Sequence, residues 1–227
     1  MSTCHNEFGP SAAQQANRLP GMFEGDSKLY GAVKRGVDIV LSSLALAALS
    51  PVFAVVSAAV ALESRGPVFY RQERVGRGGK TFGFYKFRSM VVGADRMTGQ
   101  LADRNEAQGP IFKIADDPRV TRVGKFLRRT SLDEIPQFWN VLKGDLSLVG
   151  PRPHLPSEVE KYLPHHHERL DATPGLVCYR EVTGRSRLTF EQWVALDIHY
   201  VRTRSIAVDA AILLRAVPAI LKGEGAY

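Results

Sequence analysis

Apolar residues run without a charge over 39–62, IVLSSLALAALSPVFAVVSAAVAL, a stretch of 24 residues. As one straight helix it would measure about 36 Å, enough to cross a bilayer. A buried core helix rarely lacks a polar face over such a length. The late start and long apolar part argue against a signal peptide, although Ala59-Val60-Ala61 mimics a cleavage site. Pro51 stands at the midpoint and splits the run into two twelve-residue halves, each too short to cross alone. Ser50 beside it can satisfy a carbonyl that a proline kink leaves free. Lys28, Lys34 and Arg35 precede the run, and Arg65, Arg71, Arg74, Arg77 and Lys80 follow it, so both ends favour the cytoplasmic side. The pattern predicts a re-entrant helix over 28–62 that breaks at Ser50-Pro51 and returns to the side it entered.

Further along, the apolar period shortens to two. Residues 67–72 and 81–90 predict two short strands joined by a turn containing Gly76, Gly78 and Gly79. That turn, VGRGGK, lacks the spacing of a phosphate-cradling loop and precedes no helix. Lys86 and Arg88 fall on one strand face, where they can reach one anion together. Helical spacing then returns. A short basic helix is predicted over 120–129 with Val123, Phe126 and Leu127 inward, and a helix over 133–142 whose stripe of Ile135, Phe138, Trp139 and Leu142 suits core or membrane interface. Residues 156–170 predict a helix interrupted near Pro164, and 189–204 a helix with Phe190, Trp193, Leu196 and Tyr200 on one side. Over 206–221 an amphipathic helix sets Ile212, Leu213, Val217, Ile220 and Leu221 against Asp209, Arg215 and Lys222. The polar residues 1–27 predict a disordered tail. The fold class that follows is mostly α with a small β-hairpin.

The 227 residues suffice for one domain plus an accessory segment. Thirty Lys and Arg against twenty-three Asp and Glu give a net charge of +7, which calls for an anionic partner: nucleic acid, a phosphorylated substrate or anionic membrane lipids. No aromatic-rich nucleic-acid motif accompanies the charge. The two cysteines, Cys4 and Cys178, make a disulfide framework improbable and favour a reducing compartment.

The candidate chemistry is concentrated over 127–153. Asp133 and Glu134 follow Lys125, Arg128 and Arg129 and precede the loop Gly150-Pro151-Arg152-Pro153. Adjacent carboxylates ringed by cations suit a magnesium ion and a phosphate. A plainer reading makes Ser131 and Glu134 a capping box with Asp133 facing the helix dipole, but it places Pro136 at the fifth helical position, where its missing N–H costs a bond. Capping by Asp133 instead brings Pro136 into the first turn and leaves Glu134 unexplained. Asp145 is equally well a metal-supporting carboxylate or a turn former after Gly144. His165, His166 and His167 are consecutive and cannot share one helix face, which disfavours metal ligation by the trio.

The stretch SLDEIPQFWNVLKGDLSLVGPRP over 131–153 closely resembles the signature of the bacterial sugar transferases that load a sugar phosphate onto a polyprenyl phosphate, the monotopic phosphoglycosyl transferases. The resemblance extends over about 34–227. It includes an opening formed here by Lys34, Arg35 and Asp38, a Ser50-Pro51 break, the YKFRSM element with Lys86 and Arg88, and a later motif that Asp197 and Tyr200 match. Arg128 and Arg152 match positions used near the donor's phosphates. One departure stands out: Glu181 occupies the family's glutamine position, with Arg180 before it, in GLVCYREVTGR ending at Gly184 and Arg185.

The resemblance implies a monotopic membrane protein at the bacterial cytoplasmic membrane, with a re-entrant helix over 28–62 and an interfacial cytosolic catalytic domain over 63–227. It implies Asp133 as a nucleophile forming a phospho-sugar aspartyl intermediate, Glu134 as a magnesium ligand or proton manager, and Mg2+ as cofactor. It further implies a UDP-sugar donor, a polyprenyl phosphate acceptor and release of UMP in the first membrane step of exopolysaccharide or related glycoconjugate synthesis. The sugar, the polymer and homodimer formation are left open. The competing expectation is a membrane-attached basic binding module in which Asp133 and Glu134 only cap a helix.

Overall fold

The computed structural model describes residues 27–106, 109–112, 114–183 and 188–221. The predicted tail up to residue 26, with Cys4, lies outside the described residues, as do Gly184, Arg185, Lys222 and the side chains of Val217, Ile220 and Leu221. A long helix α1 (Lys28–Glu63) leads into a hairpin of β1 (Phe69–Val75) and β2 (Thr81–Phe87), and α2 (Arg122–Thr130), α3 (Gln137–Lys143) and β3 (Ser147–Val149) follow. Then come α4 (Pro156–Val159), β4 (Gly175–Val177), α5 (Tyr179–Thr183), α6 (Phe190–Thr203) and α7 (Ile206–Leu221), with 3-10 turns at Leu132–Glu134 and Pro164–Asp171 among the connections.

The hairpin is antiparallel, Phe69 facing Phe87 and Tyr70 facing Lys86, and β1 alternates in burial as a half-buried strand should. A second, unpredicted sheet pairs β3 with β4 in parallel, Ser147 beside Gly175 and Val149 beside Val177. Three residues per strand are too few to register as a period. Backbones meet so closely there that a Cβ on Gly175 would lie 2.0 Å from the Gly150 nitrogen, so only glycine fits.

Two apolar clusters result. The larger joins Val141, Leu146, Leu148, Val149, Tyr200 and Ile212, filling the space between the second sheet, α3, α6 and α7. The smaller joins Val56, Val60, Phe87, Leu127 and Ile135 under the C-terminal half of α1. Phe138 packs against both, so the 3-10 turn bearing Asp133 and Glu134 lies at their junction.

Helix α1 is one helical run with Pro51 inside it, not two helices separated at Ser50-Pro51. The Ser50 hydroxyl donates to the Ala47 carbonyl at 2.8 Å, the group that Pro51 has no N–H to engage. The helix holds to the body by a stripe that includes Tyr30, Asp38, Ser42, Val56 and Val60, while Leu44, Val55 and Leu62 are 61%, 70% and 87% exposed. Both ends are fastened to the same body. Near the start, Lys34 donates to the Val149 carbonyl at 2.9 Å, Arg35 closes the end of α3 through the Val141 and Leu142 carbonyls, and Asp38 accepts from the Leu148 N–H at 2.9 Å. At the finish, Glu63 accepts the Val123 N–H at 2.9 Å.

Two face assignments change. Phe126 is half exposed on α2, because Leu127 and Gly124 take the buried face. Asp209, expected on the polar face of α7, is buried between Lys34 at 2.7 Å, the Tyr30 hydroxyl at 3.0 Å and the Tyr200 hydroxyl at 2.7 Å, which satisfies its charge inside.

Candidate active site

Helix α2 stops at Ser131, whose backbone is left-handed at φ 56° and whose N–H closes on the Arg128 carbonyl at 3.2 Å. The chain turns once more as a 3-10 turn, and α3 begins only at Gln137 with Pro136 at its N-cap. Neither capping reading therefore holds. Ser131 makes no side-chain cap bond, and both carboxylates precede the helix. The left-handed residue instead turns Asp133 inward, to 6% exposure.

Three other segments bring cations to this turn. Lys86, on β2, places its ammonium 2.7 Å from Glu134 Oε1 and 3.8 Å from Asp133 Oδ2. Arg152, in the loop after β3, reaches the same Glu134 oxygen with Nη2 at 3.2 Å and Glu181 Oε1 with Nη1 at 3.5 Å. Arg128, on α2, donates to the Ser89 hydroxyl at 3.0 Å, and its charge acts on Asp133. That approach depends on Gly124, where a Cβ would lie 2.0 Å from the Ser89 carbonyl oxygen.

Adjacent carboxyls are thereby pulled in opposite directions. Burial pushes Asp133 above the ordinary carboxyl range, and the neighbouring Glu134 charge adds to this against the pull of Lys86. Burial also pushes on Glu134, but Lys86 and Arg152 outweigh it and hold the group well below that range. Among the described residues no donor hydrogen-bonds the Asp133 carboxylate. Two carboxylate oxygens with free lone pairs, beside an ionised glutamate, are a hard donor set that fits Mg2+.

The sequence-predicted residues thus separate. Asp133, Glu134, Lys86 and Arg152 come together with Arg128 at the margin, but Arg88 does not join them. It is buried and closes the end of α1 through the Val60, Ser64 and Arg65 carbonyls, because the chain leaves the strand after Phe87 and the shared face is lost. Asp38 belongs to the anchoring of α1, and Ser50-Pro51 lie on its exposed course. Tyr200 donates to Asp209, and Asp145 pairs with Lys143 at 2.8 Å.

Asp197 belongs to a second buried cluster, whose other members carry no signal in the sequence. Arg169 contacts Asp197, and donates to the Tyr162 hydroxyl at 2.7 Å and the Arg152 carbonyl at 3.0 Å. Arg74 holds the Pro153 carbonyl at 3.2 Å, and the Val75 N–H donates to the His154 carbonyl at 2.9 Å. The Arg152 loop is thus clamped from behind. His154 is kept neutral by burial and by the surrounding arginines, Arg169 first.

His165, His166 and Glu191 bring ligand atoms within 4.8 Å of one another. The Leu163 N–H donates to His166 Nδ1 at 3.1 Å, so the ring proton sits on Nε2 and faces Glu191 at 3.2 Å. That contact is a hydrogen bond and leaves His166 without a vacant lone pair for a metal.

Comparison with known proteins extends the picture. A family model described as bacterial sugar transferase matches residues 29–223. Galactosyl transferase CpsE of Streptococcus agalactiae serotype III is 47% identical over 162 residues, 71% of this chain and 36% of that protein. Exopolysaccharide production protein ExoY of Sinorhizobium fredii is 38% identical over 201 residues, 87% of this chain and 89% of that protein. An undecaprenyl-phosphate galactose phosphotransferase of Salmonella typhimurium is 41% identical over 203 residues, 86% of this chain and 42% of that protein. The chain therefore spans less than half of CpsE and of the Salmonella protein, and nearly the whole of ExoY.

Proposed function

The chain belongs to the bacterial sugar transferase family, and on that footing we propose that it transfers a sugar 1-phosphate from a UDP-sugar to a polyprenyl phosphate, releasing UMP. The observation that carries the reading is the Asp133 carboxylate: on a buried residue, without a hydrogen-bond donor among the described residues, and faced by Lys86, Arg128 and Arg152.

An Asp133 oxygen attacks the phosphorus bearing the sugar. The bond from that phosphorus to the UMP oxygen breaks, UMP departs, and the sugar phosphate remains on the aspartate as an acyl phosphate. An oxygen of the polyprenyl phosphate then attacks the same phosphorus, frees the carboxylate and leaves a polyprenyl diphosphate sugar. The obstacle is charge, since two unit charges 4 Å apart repel by about 4 kcal/mol at an effective dielectric of 20. Arg152 and Arg128 offset this at the phosphate oxygens, and Lys86 holds Glu134 ionised beside the nucleophile. Asp133 and Glu134 would hold Mg2+, which supplies Lewis-acid neutralisation of the diphosphate when bound.

A lipid acceptor requires the site to sit at a membrane surface. We assign that placement to α1, re-entering from the cytoplasmic side. In support, its N-terminal residues Lys34, Arg35 and Asp38 and its C-terminal residues Val56, Val60 and Glu63 contact one body, whereas a span would carry its far end about 30 Å away. The apolar flank then faces lipid.

The test is UMP release by the detergent-purified protein with Mg2+, undecaprenyl phosphate and a panel of UDP-sugars. One donor should give turnover with parallel-line, ping-pong kinetics. A strict need for both substrates before any UMP appears would overturn the covalent route.

A further inference from the structure

Arg152 divides its two terminal nitrogens between two carboxylates, and the two are not equivalent. Glu134 keeps Lys86 at 2.7 Å when Arg152 turns away. Glu181 is held independently of Arg152. Its Oε2 accepts the Cys178 N–H at 2.8 Å, and its own N–H donates to the Cys178 carbonyl at 3.1 Å, so the loop following β4 fixes the carboxylate. What faces Arg152 is the remaining oxygen, Oε1, at 3.5 Å from Nη1. That separation is an ion pair and exceeds a good hydrogen bond.

We infer that Glu181 is a positioning residue that engages Arg152 where a phosphate oxygen otherwise would, and so sets how tightly the nucleotide donor and the UMP product are held. The inference rests on the reading of Arg152 as a phosphate-binding group. A phosphate oxygen arriving at Nη1 exchanges the loose pair for a short charge-assisted bond, and the stationary Glu181 charge opposes it. When UMP leaves, the carboxylate takes Arg152 back. A two-step reaction needs that departure, because nucleotide must clear the site before the lipid phosphate enters. Glutamine, which stands here in the family pattern, keeps an oxygen for the Cys178 N–H and removes the charge.

The test is UMP binding to the full-length protein in detergent at fixed salt, measured by calorimetry, together with donor kinetics. Glu181→Gln should bind UMP about tenfold tighter, equivalent to about 1.4 kcal/mol, and its donor KM should fall without a rise in kcat. The gain should vanish in an Arg152→Ala background, and Glu181→Asp, which keeps the charge, should stay within about twofold of wild type. Unchanged or weaker UMP binding by a Glu181→Gln protein with wild-type melting overturns the inference, as does equal tightening by Glu181→Asp. Wild-type UMP affinity in Arg152→Ala alone would instead overturn the phosphate assignment beneath it.

Discussion

Asp133 and Asp197 are both buried and both lie within the reach of arginines, yet their surroundings are opposite. Asp197 is gripped by Arg169, whose other terminal N–H groups are taken by the Tyr162 hydroxyl, the His154 ring and the Arg152 carbonyl. Among the described residues, Asp133 has Lys86 at 3.8 Å as its only ion pair and accepts no hydrogen bond. Its oxygens are not sealed from water, so their lone pairs stay open to an incoming ligand, and a group so placed is available for chemistry. The two clusters are also joined. Arg169 holds the backbone of the residue whose guanidinium faces Glu134, so the Arg169–Asp197 pair behind keeps the cluster in front in shape.

Replacing each partner should separate chemistry from stability. Asp133→Asn should lower sugar-phosphate transfer by at least about 10³-fold, a barrier increase of about 4 kcal/mol. The same variant should melt within about 2 °C of wild type, since the Asp133 oxygens reach solvent and no hydrogen bond to them is lost. Undiminished turnover would remove the nucleophile assignment, and a lower melting temperature would mean that Asp133 is bonded after all. Arg169→Met should act in the reverse sense. Losing one partner of a buried pair costs about 3–5 kcal/mol, so calorimetry should show a melting temperature lower by roughly 10 °C. Where the variant can be assayed in the cold, donor KM should rise because the Arg152 carbonyl has lost its donor. A melt within about 2 °C of wild type would show that the rear cluster is not what holds the loop.

Much of the front cluster was legible because its members cluster in the chain or carry a motif. Asp133 and Glu134 adjoin, Arg152 closes the same stretch, and the alternation of the hairpin points to Lys86. Arg88 was misplaced because period two holds only while the strand continues, and the strand ends at Phe87. The Ser50-Pro51 break was read from the local effect of Pro51, and both residues lie in one helical run in which Ser50 bonds the carbonyl that Pro51 leaves free. Arg169 and His154 gave no signal, since an arginine in a run of polar residues reads as solvated until the fold buries it. The sheet of β3 and β4 was equally hidden, its register depending on the contact of Gly150 with Gly175 rather than on side-chain pattern.

A smaller effect than that of Arg169→Met should come from titrating Asp197. Burial raises its carboxyl to about 6 against the opposing pull of Arg169. A folded value above the unfolded one means that the stability it contributes is whole below about pH 4 and is lost as pH rises through about 6. Asp197→Asn lacks that titration. The wild-type melting temperature, measured against that of Asp197→Asn, should therefore fall by about 5 °C between pH 4 and pH 7. Parallel curves would mean that Arg169 cancels the burial of Asp197 completely. The contrast between the two aspartates would then rest on the missing hydrogen bonds of Asp133 alone, and the rear cluster would stabilise the Arg152 loop equally at every pH in that interval.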